Sequence, residues 1–232
     1  MLIDIFSDLA TRDLTTVAVI KNLELLIIQT DDVPQPYFGC DQDWYHEPWQ
    51  RQAGCGPCTS ASILYYLSIQ HQALSALYPL KGNHQDDFRS YMSEIWHFVT
   101  PGRMGVNEGR MLSEGVLKYA LTKSVHMDAY LEKIAGLHQR RISFDAMIEF
   151  IMTGLSLDCP VAFLNLSNGN LENLESWHWV TIAGLFKHSD KAYTTYYAAI
   201  SDSGEAKVIN LSQWYESSLL GGTFVYFSES ST

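Results

Sequence analysis

Gly54-Cys55-Gly56-Pro57-Cys58-Thr59-Ser60-Ala61 closes an irregular stretch and opens an apolar run that reads as a helix. A thiol is a weak nucleophile until it ionises, and the amides and dipole at a helix start favour the thiolate. Gly56 lets a carbonyl group come close to the backbone, where nearby N–H groups suit an oxyanion. Cys55 is therefore a candidate nucleophile. The same tetrapeptide admits other chemistry. Cys55-x-x-Cys58 is the spacing of a thiol–disulfide redox pair. The feed into it, DQDWYHEPWQRQAG, is not the buried apolar strand that such a pair follows. As zinc ligands the two thiols lack a second close Cys or His pair, because Cys40 and Cys159 stand alone. Two cysteines buried at a helix start with no chemical role are the plainest alternative.

A thiol of this kind needs a base. Ser176-Trp177-His178-Trp179-Val180-Thr181-Ile182-Ala183-Gly184 begins an alternating strand in which His178, Val180 and Ile182 share a face. A histidine at a strand edge is often only structural, so the next strand matters. If the hairpin after it turns near residues 189–190, antiparallel pairing sets His178 opposite Ser201 and beside Asp202. Asp202 could then accept from one ring nitrogen and leave the other to take a proton from the thiol. Asp202-Ser203-Gly204-Glu205 is also a good turn in its own right.

The elements that must position these groups follow from periodicity. Residues 14–30 are rich in Val, Ile, Leu and Thr, and a turn at Lys21-Asn22 suggests a hairpin. Residues 31–54 carry Asp31, Asp32, Pro34, Pro36, Gly39, Pro48 and Gly54, punctuation that argues against regular elements. Five aromatics of this arm (Tyr37, Phe38, Trp44, Tyr45 and Trp49) either line a groove or pin the loop to the core. Helices are expected over 57–70, 86–99, 108–122 and 143–154, the first apolar on several faces and the last capped by Ser143. Strands are expected over 160–166, 178–186, 193–201, 206–210 and 223–227, with a short helix or loop at LSQWYESSL. The result is an α+β protein. With no internal repeat or long linker, the expectation is one unit over 1–232. It comprises an amino-terminal hairpin and arm (1–44), a mainly helical lobe (45–155) and a mainly β lobe (156–232).

Composition narrows the partners. There are 26 acidic against 15 basic residues, a net charge of −11, which disfavours nucleic acid and anionic membrane. The first residues, MLIDIFSDLATRD, lack a basic segment ahead of an apolar core, and runs such as LELLII are too short to span a bilayer. A cytoplasmic location is the expectation. Four cysteines in 232 residues are too few for a disulfide scaffold.

Together the residues resemble the papain-like cysteine peptidases, in particular the bacterial branch similar to the bacteriocin-leader-processing peptidases. Cys55-Gly56-Pro57 running into Thr59-Ser60-Ala61 and Ile63-Leu64 is similar to that branch's nucleophile helix. Met152-Thr153-Gly154 with Pro160-Val161 resembles the segment ahead of its His-Trp-Val strand, here His178-Trp179-Val180 through Gly184. The third residue of the family falls on Asp202. The likeness spans about residues 45–227. It implies a helical lobe packed on an antiparallel β lobe, acyl transfer through a thioester, and a peptide or isopeptide substrate. Water or another nucleophile would be the acceptor, and no cofactor or metal is needed. The oxyanion-hole glutamine of the family lies several residues before the nucleophile, which offers Gln50 and Gln52. Papain's own Gln-x-x-Cys-Gly-x-Cys spacing would make Cys58 the attacking residue, but Thr59 stands where a Trp is usual, which favours Cys55. A disulfide oxidoreductase using Cys55 and Cys58, or an inactive binding module of the same fold, are the rival classes.

Overall fold

The computed structural model describes residues 13–31, 36–191 and 193–230. The leader-free reading of the first dozen residues, and Asp32 and Pro34 of the arm, fall outside these. The architecture is α+β, with helices packed on an antiparallel sheet.

Among the described residues, seven strands form the main sheet. They are β1 (Thr15–Val19), β4 (Met127–Ile134), β5 (Val161–Asn165), β6 (His178–Ser189), β7 (Thr194–Asp202), β8 (Glu205–Asn210) and β9 (Gly222–Glu229). Their order is β4-β9-β5-β6-β7-β8, with β1 pairing on β6, and each pairing is antiparallel. β6 is central, and its residues His178 to Phe186 are all buried. That explains why HWVTIAGLF is apolar nearly throughout rather than alternating.

Two short strands, β2 (Ile27–Ile28) and β3 (Tyr37–Phe38), pair apart from the main sheet. The helices are α1 (Pro48–Ala53), α2 (Cys55–Gln70), α3 (Gln85–Trp96), α4 (Gly109–Thr122), α5 (Phe144–Ser156) and α6 (Leu211–Ser217). α2 is buried on every face from Gly56 to Ser68, because it lies between β6 and the helices α3 and α4. Ser143 caps α5 by accepting from the amide of Ala146 at 3.2 Å.

Two expectations need correction, and one strand was not expected. The hairpin over 14–30 does not form: β1 joins β6, and the chain then turns into a 3-10 segment, Leu23–Leu26, before β2 pairs with β3. The Lys21-Asn22 corner is held by tertiary contacts instead, Lys21 N–H donating to Asp158 Oδ1 at 2.8 Å and Asn22 N–H to the Tyr66 hydroxyl at 3.3 Å. Residues 31–54 do contain regular elements (β3, a 3-10 turn at Gln42–Trp44, and α1), because prolines and glycines bound short elements as well as break long ones. β4 is a strand inside the stretch read as mainly helical. It is an edge strand with only its end residues buried, so no alternating pattern marks it.

Candidate active site at the helix–sheet junction

The loop between Gly39 and α1 crosses from the sheet to the helices and closes over the start of α2. Phe38 N–H donates to Gly204 O at 2.7 Å, Ser201 Oγ donates to Phe38 O at 2.6 Å, and Cys40 N–H donates to Ser62 Oγ at 2.9 Å. Trp44 and Tyr45 are buried beneath it, Tyr45 donating to Met92 O at 3.1 Å and lying edge-on to Trp96. Trp44 meets Tyr37 edge-on, while Trp49 stays exposed. Most of the aromatic arm thus anchors a loop.

Cys55 stands at the first position of α2, half-buried. Gly56 is required by packing: a Cβ there would lie 2.8 Å from the Cβ of Val106. Val106 in turn accepts from Trp179 Nε1 at 2.5 Å through its carbonyl, tying the loop before α4 to both Gly56 and the histidine strand.

His178 is the first residue of β6, opposite Asn165 of β5. The expected pairing of His178 with Ser201 is not the one observed. Ser201 lies opposite Thr181, because the ladder closes with Ser189 opposite Thr194 and a bulge interrupts it between Ile182 and Gly184. Asp202 reaches the ring nonetheless: His178 Nε2 and Asp202 Oδ1 are 2.7 Å apart, both side chains buried. An ionised carboxylate only accepts, so Nε2 carries the hydrogen and Nδ1 is the nitrogen left for a second partner. Cys55 lines the same small pocket as the ring and is among the groups that raise its pKa. The structure brings Cys55, His178 and Asp202 together.

Electrostatics follow from those contacts. Burial pulls the His178 pKa down, but the hydrogen bonds to Asp202 and Cys55 more than reverse this and raise it to about 10. Burial pushes Asp202 up, and His178 with Lys207 overrides it, bringing the carboxyl down to about 2. Lys207 Nζ lies 2.9 Å from Asp202 Oδ2 and 3.3 Å from Glu205 Oε2, and Ser203 Oγ donates to Asp202 Oδ1 at 3.2 Å. The carboxylate has each oxygen occupied.

Cys58 lies one turn further along α2 and is buried. Burial, followed by a hydrogen bond with Cys40, raises its pKa well above the ordinary thiol value. Cys40, Cys55, Cys58 and His178 line one small pocket together with Gln42, Thr59, Ser62, Trp179, Thr181, Ser201 and Ser203.

Neither glutamine expected near the oxyanion lines this pocket. Gln50 and Gln52 belong to α1, where Gln52 is exposed and Gln50 half-buried. Gln42 lines the pocket wall. Its Oε1 is buried with no hydrogen-bond partner. Sequence spacing offered no rule for a residue thirteen positions before the thiol, although the Trp44-Tyr45 pair beside it marks where the loop is anchored. Lys207 was more legible. A two-residue Ser203-Gly204 turn with positive φ at both residues pairs Asp202 with Glu205, so Lys207 lies on the same face one step along.

Among the described residues, no group of three or more His, Cys, Asp or Glu side chains could hold a metal ion, and no helix is long and apolar enough to cross a membrane. No family model, curated protein or solved structure matches this chain.

Proposed function

We propose that this chain is a papain-like cysteine peptidase or a related amide hydrolase, with Cys55 as nucleophile, His178 as its base and Asp202 orienting the imidazole. The observation that carries the reading is His178 bonded to the Asp202 carboxylate and sharing a small pocket with the Cys55 thiol, where a buried helix begins against the centre of the sheet.

The arrangement suits acyl transfer. His178 Nδ1 takes the thiol proton, and the Cys55 sulfur adds to the amide carbonyl. The amide N–H groups at the start of α2 and the side-chain amide of Gln42 are suited to stabilise the oxyanion. Collapse breaks the C–N bond, and the imidazolium gives its proton to the leaving amine. Water, deprotonated by the same ring, then attacks the thioester and releases the acid and the thiol. An amine or thiol in place of water gives acyltransferase activity at the same site. A peptide or protein is the substrate class.

Cys55 is preferred to Cys58 because it is the half-exposed thiol, and it is the one that bears on the pKa of the imidazole. A disulfide oxidoreductase pair of this spacing follows a buried apolar strand, whereas here α1 leads through Gly54 into Cys55. An inactive module would have no selectively reactive thiol. The test is iodoacetamide labelling near pH 6, mapped by residue, in the wild type and in His178→Ala. Labelling concentrated on Cys55, and slowed about 100-fold or more by the substitution, is the expected result. Equal, slow labelling of both thiols would remove the enzyme reading.

A further inference from the structure

Acyl transfer uses one cysteine of Cys55-Gly56-Pro57-Cys58 and leaves the other without a role. Cys58 shares the pocket wall with Cys55 and Cys40. Residues three apart on an α-helix have Cα atoms about 5 Å apart with side chains on one face, inside the range a disulfide spans. The pair occupies the first turn of α2, where fewer helical hydrogen bonds hold the backbone.

We propose that Cys55 and Cys58 form an oxidation site, in which a hydroperoxide oxidises Cys55 and Cys58 then captures it as a reversible disulfide. The inference rests on Cys55 being the reactive thiol of the proposed active site and assigns that site a form of regulation. In the first step the Cys55 thiolate attacks a peroxide oxygen and the O–O bond breaks. Hydroxide leaves and is protonated by the His178 imidazolium, and the sulfur is oxidised by two electrons to sulfenic acid. In the second step the Cys58 sulfur attacks the Cys55 sulfur. The S–S bond forms, the S–O bond breaks, and the departing hydroxide takes the Cys58 proton as water. With hydrogen peroxide, two thiols and one peroxide yield one disulfide and two waters. A dithiol reverses it by exchange.

Burial is consistent with this division of labour. The half-exposed Cys55 meets the oxidant first, while Cys58 is shielded from reagents in solvent. A sulfur one helical turn away needs no access from outside, and its proximity offsets a small thiolate fraction. Without a neighbouring thiol, a sulfenic acid advances to sulfinic and sulfonic acids that a dithiol does not reverse.

The experiment treats the reduced full-length chain with hydrogen peroxide, blocks free thiols under denaturing conditions and maps tryptic peptides by mass. Cleavage after Arg51 and Lys81 leaves Cys55 and Cys58 on one peptide and Cys40 on another, so the possible bonds are distinguishable. The expected product is the 52–81 peptide lighter by two hydrogens, restored by dithiothreitol. Cys58→Ser and Cys58→Ala should instead accumulate roughly tenfold more irreversibly oxidised Cys55, each scaled to its own untreated labelling. Sulfinic and sulfonic acid forming at the same rate in wild type and both variants would overturn the proposal, as would a bond joining Cys40 to Cys58. These outcomes are read without a substrate. Failure of the acyl-transfer reading shows separately, as loss of the His178-dependent alkylation of reduced protein.

Discussion

Among the described residues, two neighbourhoods are built from the same three residue types, and they differ in the contacts that acyl transfer would need. The His178 and Asp202 side chains bond, and Cys55 lines the pocket that His178 faces. Cys159, His71 and Asp158 also lie together, but with different atoms in contact. His71 Nε2 is 3.0 Å from the backbone carbonyl of Asp158, not its carboxylate. Asp158 Oδ1 instead accepts from the Tyr66 hydroxyl at 2.6 Å and from Lys21 N–H at 2.8 Å. The Cys159 thiol is buried, points to Leu157 O at 3.5 Å, and is pushed up to about 12 by burial and then by Asp158. Asp158 fastens β1 and its following corner to α2 and the end of α5. Asp202 holds a ring. Residue types alone do not distinguish a fastening from a candidate active site. The partner atoms and the exposure of the sulfur do.

The widest separation between the two should come from removing each carboxylate. Asp202→Ala deprives His178 of its hydrogen-bond acceptor, and Cys55 alkylation near pH 6 should fall about 100-fold. Asp158→Ala should leave that rate near wild type. It strands a buried tyrosine hydroxyl and a backbone N–H, so unfolding in urea should show a loss of roughly 3 kcal/mol. If Asp158→Ala slows Cys55 as much as Asp202→Ala does, the two neighbourhoods are not functionally distinct.

A smaller effect tests the imidazole itself. His178 titrates at about 10 in the folded chain, above its ordinary 6.5. A raised value means that its contribution to stability is complete below about 6.5 and is lost as pH climbs through about 10. Cys55→Ala removes one of the groups that raise it. The ring resonance followed by NMR should then titrate nearer to 6.5, and the alkaline loss of stability should begin at lower pH. Cys159→Ala, in the other neighbourhood, should leave the His178 titration in place. An unchanged titration in Cys55→Ala would mean that the thiol and the ring are not coupled.

The sequence carried the partners of this site better than its geometry. Cys55 was legible because Gly54, Gly56 and Pro57 mark a helix start, and His178 because an apolar strand begins at a polar residue. Asp202 was legible by position although the assumed register was not, since a bulge between Ile182 and Gly184 leaves no mark on residue type. β4 escaped because an edge strand has few buried residues to pattern. Gln42 escaped because the path of an irregular loop is set by what it packs on, here Trp44 and Tyr45 against the helices, and not by local periodicity. Asp158 gave no signal at all. Its positive φ of 62° and its contacts with Tyr66 and Lys21 arise only when distant segments meet.

Lys207 offers the finest discrimination between the two aspartates. Both have a lysine nearby, but Lys21 Nζ is 3.6 Å from Asp158 with its side chain 72% exposed, whereas Lys207 Nζ is 2.9 Å from Asp202 and 29% exposed. Solvent screens the first pair far more than the second. Asp202 titrates at about 2 against an ordinary 3.8. A lowered value means that its stabilising contribution is present above about 3.8 and disappears as pH falls through about 2. The whole shift corresponds to roughly 2.5 kcal/mol, shared between His178 and Lys207. Lys207→Met should therefore raise the carboxyl pKa and cost about 1 kcal/mol at neutral pH. It should also flatten the dependence of stability on pH between 4 and 2 relative to wild type, as measured by urea unfolding at stepped pH. Lys21→Met should do neither measurably. Matching acid profiles for wild type and Lys207→Met would show that His178 alone holds Asp202 ionised, and the lysine would then be an ordinary surface partner of Glu205.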